Sequence, residues 1–270
     1  MLHANEYGSM MVFALPAAKI IFAHDDKGTF AYGSASGGHH THEVTGVVWH
    51  PNYPDVRQFV TAGADQTARL WELSGDASCD PTQQGFTACT SLRCFEGHSD
   101  DVTSVALCVP RGTEGDSSKL VLATASEDDG VWLWRLGDEQ PYARCAHQED
   151  FKTHNVSNPM KLLWLPKQQV LLSCAVNQRL KVWNLDGELV RSLPMRTNFL
   201  LLHPSLDYVV TLAFGGVELL DANTLEPAFQ SYGHDASQGG GSARLSPDGR
   251  FLVTRMGDKL ILTHDLSHLI

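Results

Sequence analysis

Residues 96–136 read EGHSDDVTSVALCVPRGTEGDSSKLVLATASEDDGVWLWRL. The stretch opens on Gly97-His98. Three short runs of β-branched and aliphatic residues follow, at 102–107, 120–124 and 131–134. Each is bounded by turn-forming residues, and none shows the 3.6-residue periodicity of an amphipathic helix. Asp128 lies in the turn before the last run, and Trp134 closes it. The spacing predicts one supersecondary unit of consecutive antiparallel strands.

The unit recurs. Residues 40–73 repeat its order: His40, an apolar run ending at His50-Pro51-Asn52-Tyr53-Pro54, then QFVTAGADQTARLWEL. Thr61 stands ten residues and Asp65 six residues before Trp71; Thr124 and Asp128 hold the same offsets from Trp134. Ser173 and Asn177 lead in the same way to Trp183, and Thr254 and Asp258 lead to His264-Asp265. A fifth unit, DYVVTLAFGGVELLD, closes on Leu220-Asp221, and Lys19–Asp25 mirrors Lys259–Asp265 near the N-terminus. Five complete units and one partial one are therefore countable. Their closing positions lie roughly 37 to 63 residues apart, a period that fits propeller blades with loop insertions.

Carried by Gly97-His98, Asp128 and Trp134-Arg135, and next by His40, Asp65 and Trp71-Glu72, the sequence resembles the WD-repeat family over nearly its whole length. The resemblance implies an all-β fold, a β-propeller of four-stranded blades. Six blades are countable, and seven result if strands come from elsewhere. It also implies that residues 1–270 form a single domain with insertions at about 74–90 and 110–118. In this family the His, Asp, Ser/Thr and Trp of a unit form a buried hydrogen-bonded chain. By position that gives His40, Thr61, Asp65 and Trp71 in one unit, and His98, Thr124, Asp128 and Trp134 in the next. The family's topology puts the loops after the first and third strands on one face, so both insertions are expected to project there. The opposite face is expected to present Ala64, Gln66, Glu127 and Asp129 beside the structural aspartates.

Composition narrows the function. With 43% hydrophobic residues the chain can bury a substantial core, and 23 glycines and 12 prolines suit many turns. A formal net charge of −11 argues against phosphate-backbone binding, so no direct nucleic-acid partner is expected. Cys79, Cys89, Cys94, Cys108, Cys145 and Cys174 show neither paired nor metal-ligand spacing. Cys108 and Cys174 fall in predicted strands as small hydrophobes. No apolar run reaches membrane-spanning length and no basic leader precedes residues 10–15, so the expectation is an intracellular protein of cytoplasm or nucleus, without a membrane partner.

Along the chain, 10–15, 19–23 and 29–34 read as strands, with the innermost strand of that first unit left to residues 1–5. The stretch 141–158 reads as a polar linker. Strands are predicted at 160–165, 169–174, 179–185, 188–193, 198–203, 208–213, 216–220, 242–245, 250–254 and 259–263. Ser246-Pro247-Asp248-Gly249 is a strong hairpin turn. After Asp265 few residues remain for an outer strand.

Chemistry-bearing residues are few outside the repeat frame. A His–Asp contact can serve a general base, but no nucleophile is placed beside either pair, and the structural reading accounts for both. His39, His40, His42, His24 and Glu43 cluster in sequence without zinc-ligand spacing, so no metal is expected. The glycines at 239–241 lack the Lys and helix of a phosphate loop, and no cofactor is expected. Trp132 departs from the pattern: Arg69 and Lys181 hold its place in other units, and an aromatic there packs on a neighbour or anchors a partner. The reading is a non-catalytic scaffold or adaptor that binds other proteins within a multiprotein complex. Alternatives are a ubiquitin-ligase substrate receptor or a structural subunit of a large ribonucleoprotein assembly; an enzymatic propeller ranks below them. Against the ligase reading, Ser74, Gly137 and Asp186 stand where the adaptor-docking signature has arginine.

Overall fold

The computed structural model describes residues 2–4, 10–14, 19–24, 35–36, 39–73, 89–128, 130–146, 160–175, 179–197, 199–204, 207–213, 216–233, 241–256 and 261–267. They divide into two compact units, 1–148 and 149–270. Among the described residues there is no α-helix, and a 3-10 turn lies at Ser117–Lys119.

In the first unit, β1 (Leu2–Ala4), β2 (Met10–Ala14) and β3 (Lys19–His24) form a three-stranded antiparallel sheet. β5 (Val44–Trp49), β6 (Gln58–Gly63), β7 (Ala68–Leu73) and β8 (Cys89–Phe95) form a meander, to whose outer edge β4 (Ala35–Ser36) adds in parallel. β9 (Val102–Cys108), β10 (Val121–Ser126), β11 (Gly130–Arg135) and β12 (Ala143–Ala146) form the next meander. The second unit holds two more meanders and a shorter sheet. The first consists of β13 (Lys161–Leu165), β14 (Val170–Cys174), β15 (Arg179–Trp183) and β16 (Leu189–Arg196). The second consists of β17 (Leu200–Leu202), β18 (Tyr208–Ala213), β19 (Gly216–Asp221) and β20 (Pro227–Tyr232). The shorter sheet has β21 (Gly241–Leu245), β22 (Phe251–Met256) and β23 (Ile261–Asp265).

Burial explains which strands the sequence displays. The second strand of each meander has neighbours on both faces, so it needs apolar or small residues throughout rather than alternation. All six residues of β10 are buried, as are five of six in β6. These are the continuous runs VLATAS and QFVTAG. Successive sheets pack face to face: Val60, Leu70 and Phe95 of one sheet share a cluster with Leu107, Leu122 and Trp134 of the next. In the second unit Leu172, Cys174, Leu180 and Val182 pack with Val209, Leu220 and Leu225. Val210, Leu212, Val217 and Leu219 then pack with Ala243 and Leu252.

Three strands depart from the sequence expectation. β12 lies inside the stretch that reads as a linker, β20 has no counterpart among the predicted strands, and Cys89-Thr90 belong to β8 rather than to the insertion before it. β12 and β20 are outermost strands whose sequences (ARCA, PAFQSY) carry no apolar run to mark them, whereas Cys89-Thr90 lie between β7 and β4. The expected strand at 29–34 lies outside the described residues, as do residues 74–88 of the first insertion.

Leu122 is fully buried between the two meanders of the first unit. Leu122→Ala is expected to lower stability by about 2–5 kcal/mol, as measured by urea unfolding of the full chain.

Candidate interaction site

The strand pairings of the first unit bring four side chains together twice. Thr61 sits mid-strand in β6, buried, and receives the indole N–H of Trp71 at 2.7 Å. His40 Nε2 lies 2.7 Å from the same hydroxyl, and His40 Nδ1 lies 2.9 Å from Asp65 Oδ1. In the next sheet Trp134 donates to Thr124 at 3.0 Å, His98 Nε2 is 2.8 Å from Thr124 Oγ1, and His98 Nδ1 is 2.8 Å from Asp128 Oδ2. Only one tautomer satisfies every atom. The indole donates to the hydroxyl oxygen, the hydroxyl proton goes to Nε2, and the imidazole proton on Nδ1 goes to the carboxylate.

The aspartates are held from the turn side as well. Asp65 accepts from the Thr41 N–H at 3.1 Å, the Thr67 N–H at 3.2 Å and the Thr67 hydroxyl at 2.7 Å. Asp128 accepts from the N–H groups of Ser99 at 3.1 Å and Gly130 at 2.9 Å. Burial acts to raise the Asp65 carboxyl, but His40, Thr67 and Thr41 outweigh it and hold it well below the ordinary carboxylate range. Asp128 is likewise lowered, against its burial, by His98 and the Ser99 and Gly130 N–H groups. Thr67 is an addition to the residues that the repeat frame singles out; its spacing two residues after Asp65 is the mark of an Asx turn.

The three sheets of the second unit keep a buried hydroxyl and answer it with an indole, an imidazole or a main-chain carbonyl. Trp183 donates to Ser173 at 2.8 Å, while His264 Nε2 stands in for the indole at 3.1 Å from Thr254. Thr211 pairs across from Glu218, which places Leu220 at the closing position; with no donor there, the Thr211 hydroxyl turns to the Glu218 carbonyl at 3.2 Å.

Trp132 is half-buried and engaged on both ring faces. His98 stacks on it at 4.0 Å between centroids and 25°, and the Arg144 guanidinium lies 4.3 Å from its centroid. Arg144 is its cross-strand neighbour on β12. The cation that other units carry on the third strand thus sits one strand outward. Gly97 adopts φ +130, and a Cβ there would lie 2.9 Å from the Trp132 ring, so the Gly of the Gly-His pair is required on both counts.

The turns before the third strands present the other candidates. Ala64 and Glu127 occupy equivalent places: their N–H groups donate to Glu43 O at 2.8 Å and to Asp101 O at 3.0 Å. Gln66 is exposed with φ +66. Asp129 lies outside the described residues. Burial, Asp100 and Asp65 together raise the Asp101 carboxyl, against His42, which marks this end of the sheets as acidic. Burial also raises the thiols, Cys94 and Cys145 to about 11 and Cys174 to about 12, so none is an activated nucleophile. Among the described residues no three His, Cys, Asp or Glu side chains converge as a metal site, and no helix is long and apolar enough to cross a membrane.

Two expectations follow. Thr124→Val strands the Trp134 N–H and is expected to destabilise by about 1–3 kcal/mol, read by chemical denaturation, more than the same change at an exposed threonine. The lowered aspartates contribute stability that is present above the unfolded carboxylate value, near 4, and is lost as pH falls through their folded values. Asp65→Asn is therefore expected to be less stable than wild type at neutral pH. The gap should narrow progressively below about pH 4 in acid-unfolding curves followed by circular dichroism.

Comparison with known proteins agrees with this geometry. The family model described as "WD domain, G-beta repeat" matches residues 33–72 and 89–135, the two units with complete hydrogen-bonded chains. The protein transport protein sec13 of Aspergillus clavatus is 26% identical over 140 residues, covering 51% of this chain and 41% of that protein. A probable cytosolic iron-sulfur protein assembly protein 1 of Pyricularia oryzae is 31% identical over 126 residues, 38% of this chain and 26% of the relative. The WD repeat-containing protein 26 homolog of Arabidopsis thaliana is 25% identical over 199 residues, 66% of this chain and 31% of its own length. The chain thus spans less than half the length of these relatives. The crystal structure of the computationally designed Ika8 protein superposes with a TM-score of 0.61 at 15% identity, over 98% of this chain and 67% of that one, a likeness of fold. Residues 33–72 and 89–135 are thus WD repeats, and the chain as a whole is similar to WD-repeat proteins.

Proposed function

We propose that this chain is a non-catalytic platform that binds other proteins within a multiprotein complex. One observation carries the reading: every polar group of the two complete chains is consumed internally. The imidazoles of His40 and His98 are bonded on both nitrogens, and the hydroxyls beside them are already engaged by indoles. Nothing in those chains is left over to act as base or nucleophile, while one of the turns they hold presents Gln66 to solvent. The relatives support the same view. Proteins named for transport, iron-sulfur protein assembly and WD repeats alone share stretches of this chain, so what is shared is the repeat frame rather than one reaction.

In this reading Ala64, Gln66 and Glu127 contact the partner, with Asp100 and Asp101 adding negative charge that suits a basic protein segment. Trp132 supports the surface rather than anchoring the partner, because His98 and Arg144 already occupy its faces. The net charge of −11 disfavours direct nucleic-acid contact. An intracellular setting and the absence of a cofactor belong to the same proposal.

The test is a crosslinking pull-down from cell extract with the full chain, comparing wild type, the Gln66→Arg/Glu127→Arg double variant and Trp132→Ala. A defined set of proteins should be recovered by wild type and lost by the charge-reversed variant while its thermal unfolding is unchanged. Recovery of the same background by all three proteins would sink the proposal and make a hydrolase screen the next step.

A further inference from the structure

His50 and His203 hold corresponding places in their sheets. Each directly follows a first strand, precedes a proline and closes the first hairpin through its backbone N–H, His50 to Gln58 O and His203 to Tyr208 O, both at 2.9 Å. Both side chains are buried, 1% and 3% exposed. Their imidazoles differ. His203 Nε2 donates at 2.9 Å to the carbonyl of Gly249, in the turn joining the first two strands of the next sheet. His50 Nδ1 accepts from the Asn52 N–H at 3.1 Å, so its ring proton must be on Nε2, and that buried atom has no acceptor among the described residues.

The difference lies in what the next sheet offers. Between β21 and β22 the connection is residues 246–250, whereas between β9 and β10 it is residues 109–120. β5 runs beside β9: the Thr45 hydroxyl donates to Val102 O, and Gly46 faces Ser104 and Val105. That register sets His50 level with Cys108, at the root of the longer connection. In the structure this loop is closed on itself. Thr113 donates to Pro110 O through its N–H at 3.2 Å and its hydroxyl at 2.7 Å, and Asp116 accepts from the Ser118 N–H at 3.0 Å. The loop's internal bonds are largely exposed, so water can replace them at little cost, while an unmet buried donor has no such substitute. Gly112 and Gly115, at φ +77 and +90 with nothing near their Cβ positions, give the loop room to swing.

We propose that the 110–118 insertion is a latch for His50. It exchanges between the self-closed arrangement and one in which a main-chain carbonyl near Lys119 accepts the His50 Nε2–H, as Gly249 does for His203. Lys119 lies two residues before β10, as Gly249 lies two residues before β22. This inference does not depend on the binding reading above, since it concerns only the chain's own hydrogen bonds.

The test is limited trypsin digestion of the full chain, following initial cleavage after Arg111 and Lys119, with Arg250 in the other unit as the internal reference. His50→Phe removes the donor and should raise cleavage at the insertion roughly five-fold, the factor one hydrogen bond is worth, with the reference unchanged. His50→Gln, which keeps a donor, should bring the rate back toward wild type. Equal cleavage in wild type and both variants would overturn the latch. Should His50→Phe fail to fold, nuclear Overhauser contacts in histidine-labelled wild type decide. A contact from the Nε2 proton of His50 to the backbone of residues 117–119 supports the latch, and contact to water alone overturns it.

Discussion

A buried hydroxyl in the second strand of five of the six described sheets is the constraint on which those sheets depend. Thr61, Thr124, Ser173, Thr211 and Thr254 are all essentially inaccessible to solvent. Each would weaken its sheet if left without a partner, because a buried polar group pays its desolvation in full. The complete solution ties four segments at once: the loop before the first strand through His, the second strand through Thr, the third strand through Trp, and the turn between them through Asp. Ser173 keeps the indole, Thr254 takes a histidine instead, and Thr211 falls back on its own sheet's carbonyl. The frame tolerates loss of its motif residues so long as the hydroxyl is answered.

This ordering explains why parts of the molecule are legible in the sequence. Side chains that must meet at one hydroxyl keep fixed offsets along the chain, so the spacing of Thr61, Asp65 and Trp71 is enough to announce a unit. The second strands of the four-stranded meanders are buried on both faces and therefore stand out as largely apolar runs. The outermost strands obey neither rule. Ala143–Ala146 has one face in solvent and no motif residue, and its sequence does not separate it from a linker. Arg144 is hidden for the same reason. Trp132 is recognisable as unusual, but the cation that covers it lies across a strand pair that the sequence does not reveal. Thr211 is hidden differently: its hairpin to the third strand is one residue shorter than the others, which moves the hydroxyl out of the fixed offset from Leu220.

For function, the consequence is a division of labour within one sheet end. The groups with the richest chemistry, imidazole, carboxylate and hydroxyl, are hydrogen-bonded to one another. What the turns present to solvent is a residue outside that network, Gln66, on a turn whose aspartate is held by several hydrogen bonds. Pre-organised turns of this kind lose little entropy on association, which favours recognition by small exposed surfaces. A rigid frame with variable turn residues also accounts for relatives with different names sharing stretches of the same chain.

The pair His50 and His203 shows where such a frame is vulnerable. Lengthening a surface loop costs little in chain entropy, since closure entropy grows only with the logarithm of length. The connection between β9 and β10 could therefore expand with little penalty of its own. The larger consequence falls on its neighbour, because a short turn does more than reverse the chain: its carbonyl completes the hydrogen bonding of the sheet beside it, as Gly249 does for His203. An insertion that displaces this carbonyl leaves His50 buried with a donor and no acceptor among the described residues. In a stack of sheets the tolerance of a loop to change is set less by its own length than by which atoms of the adjoining sheet rely on it.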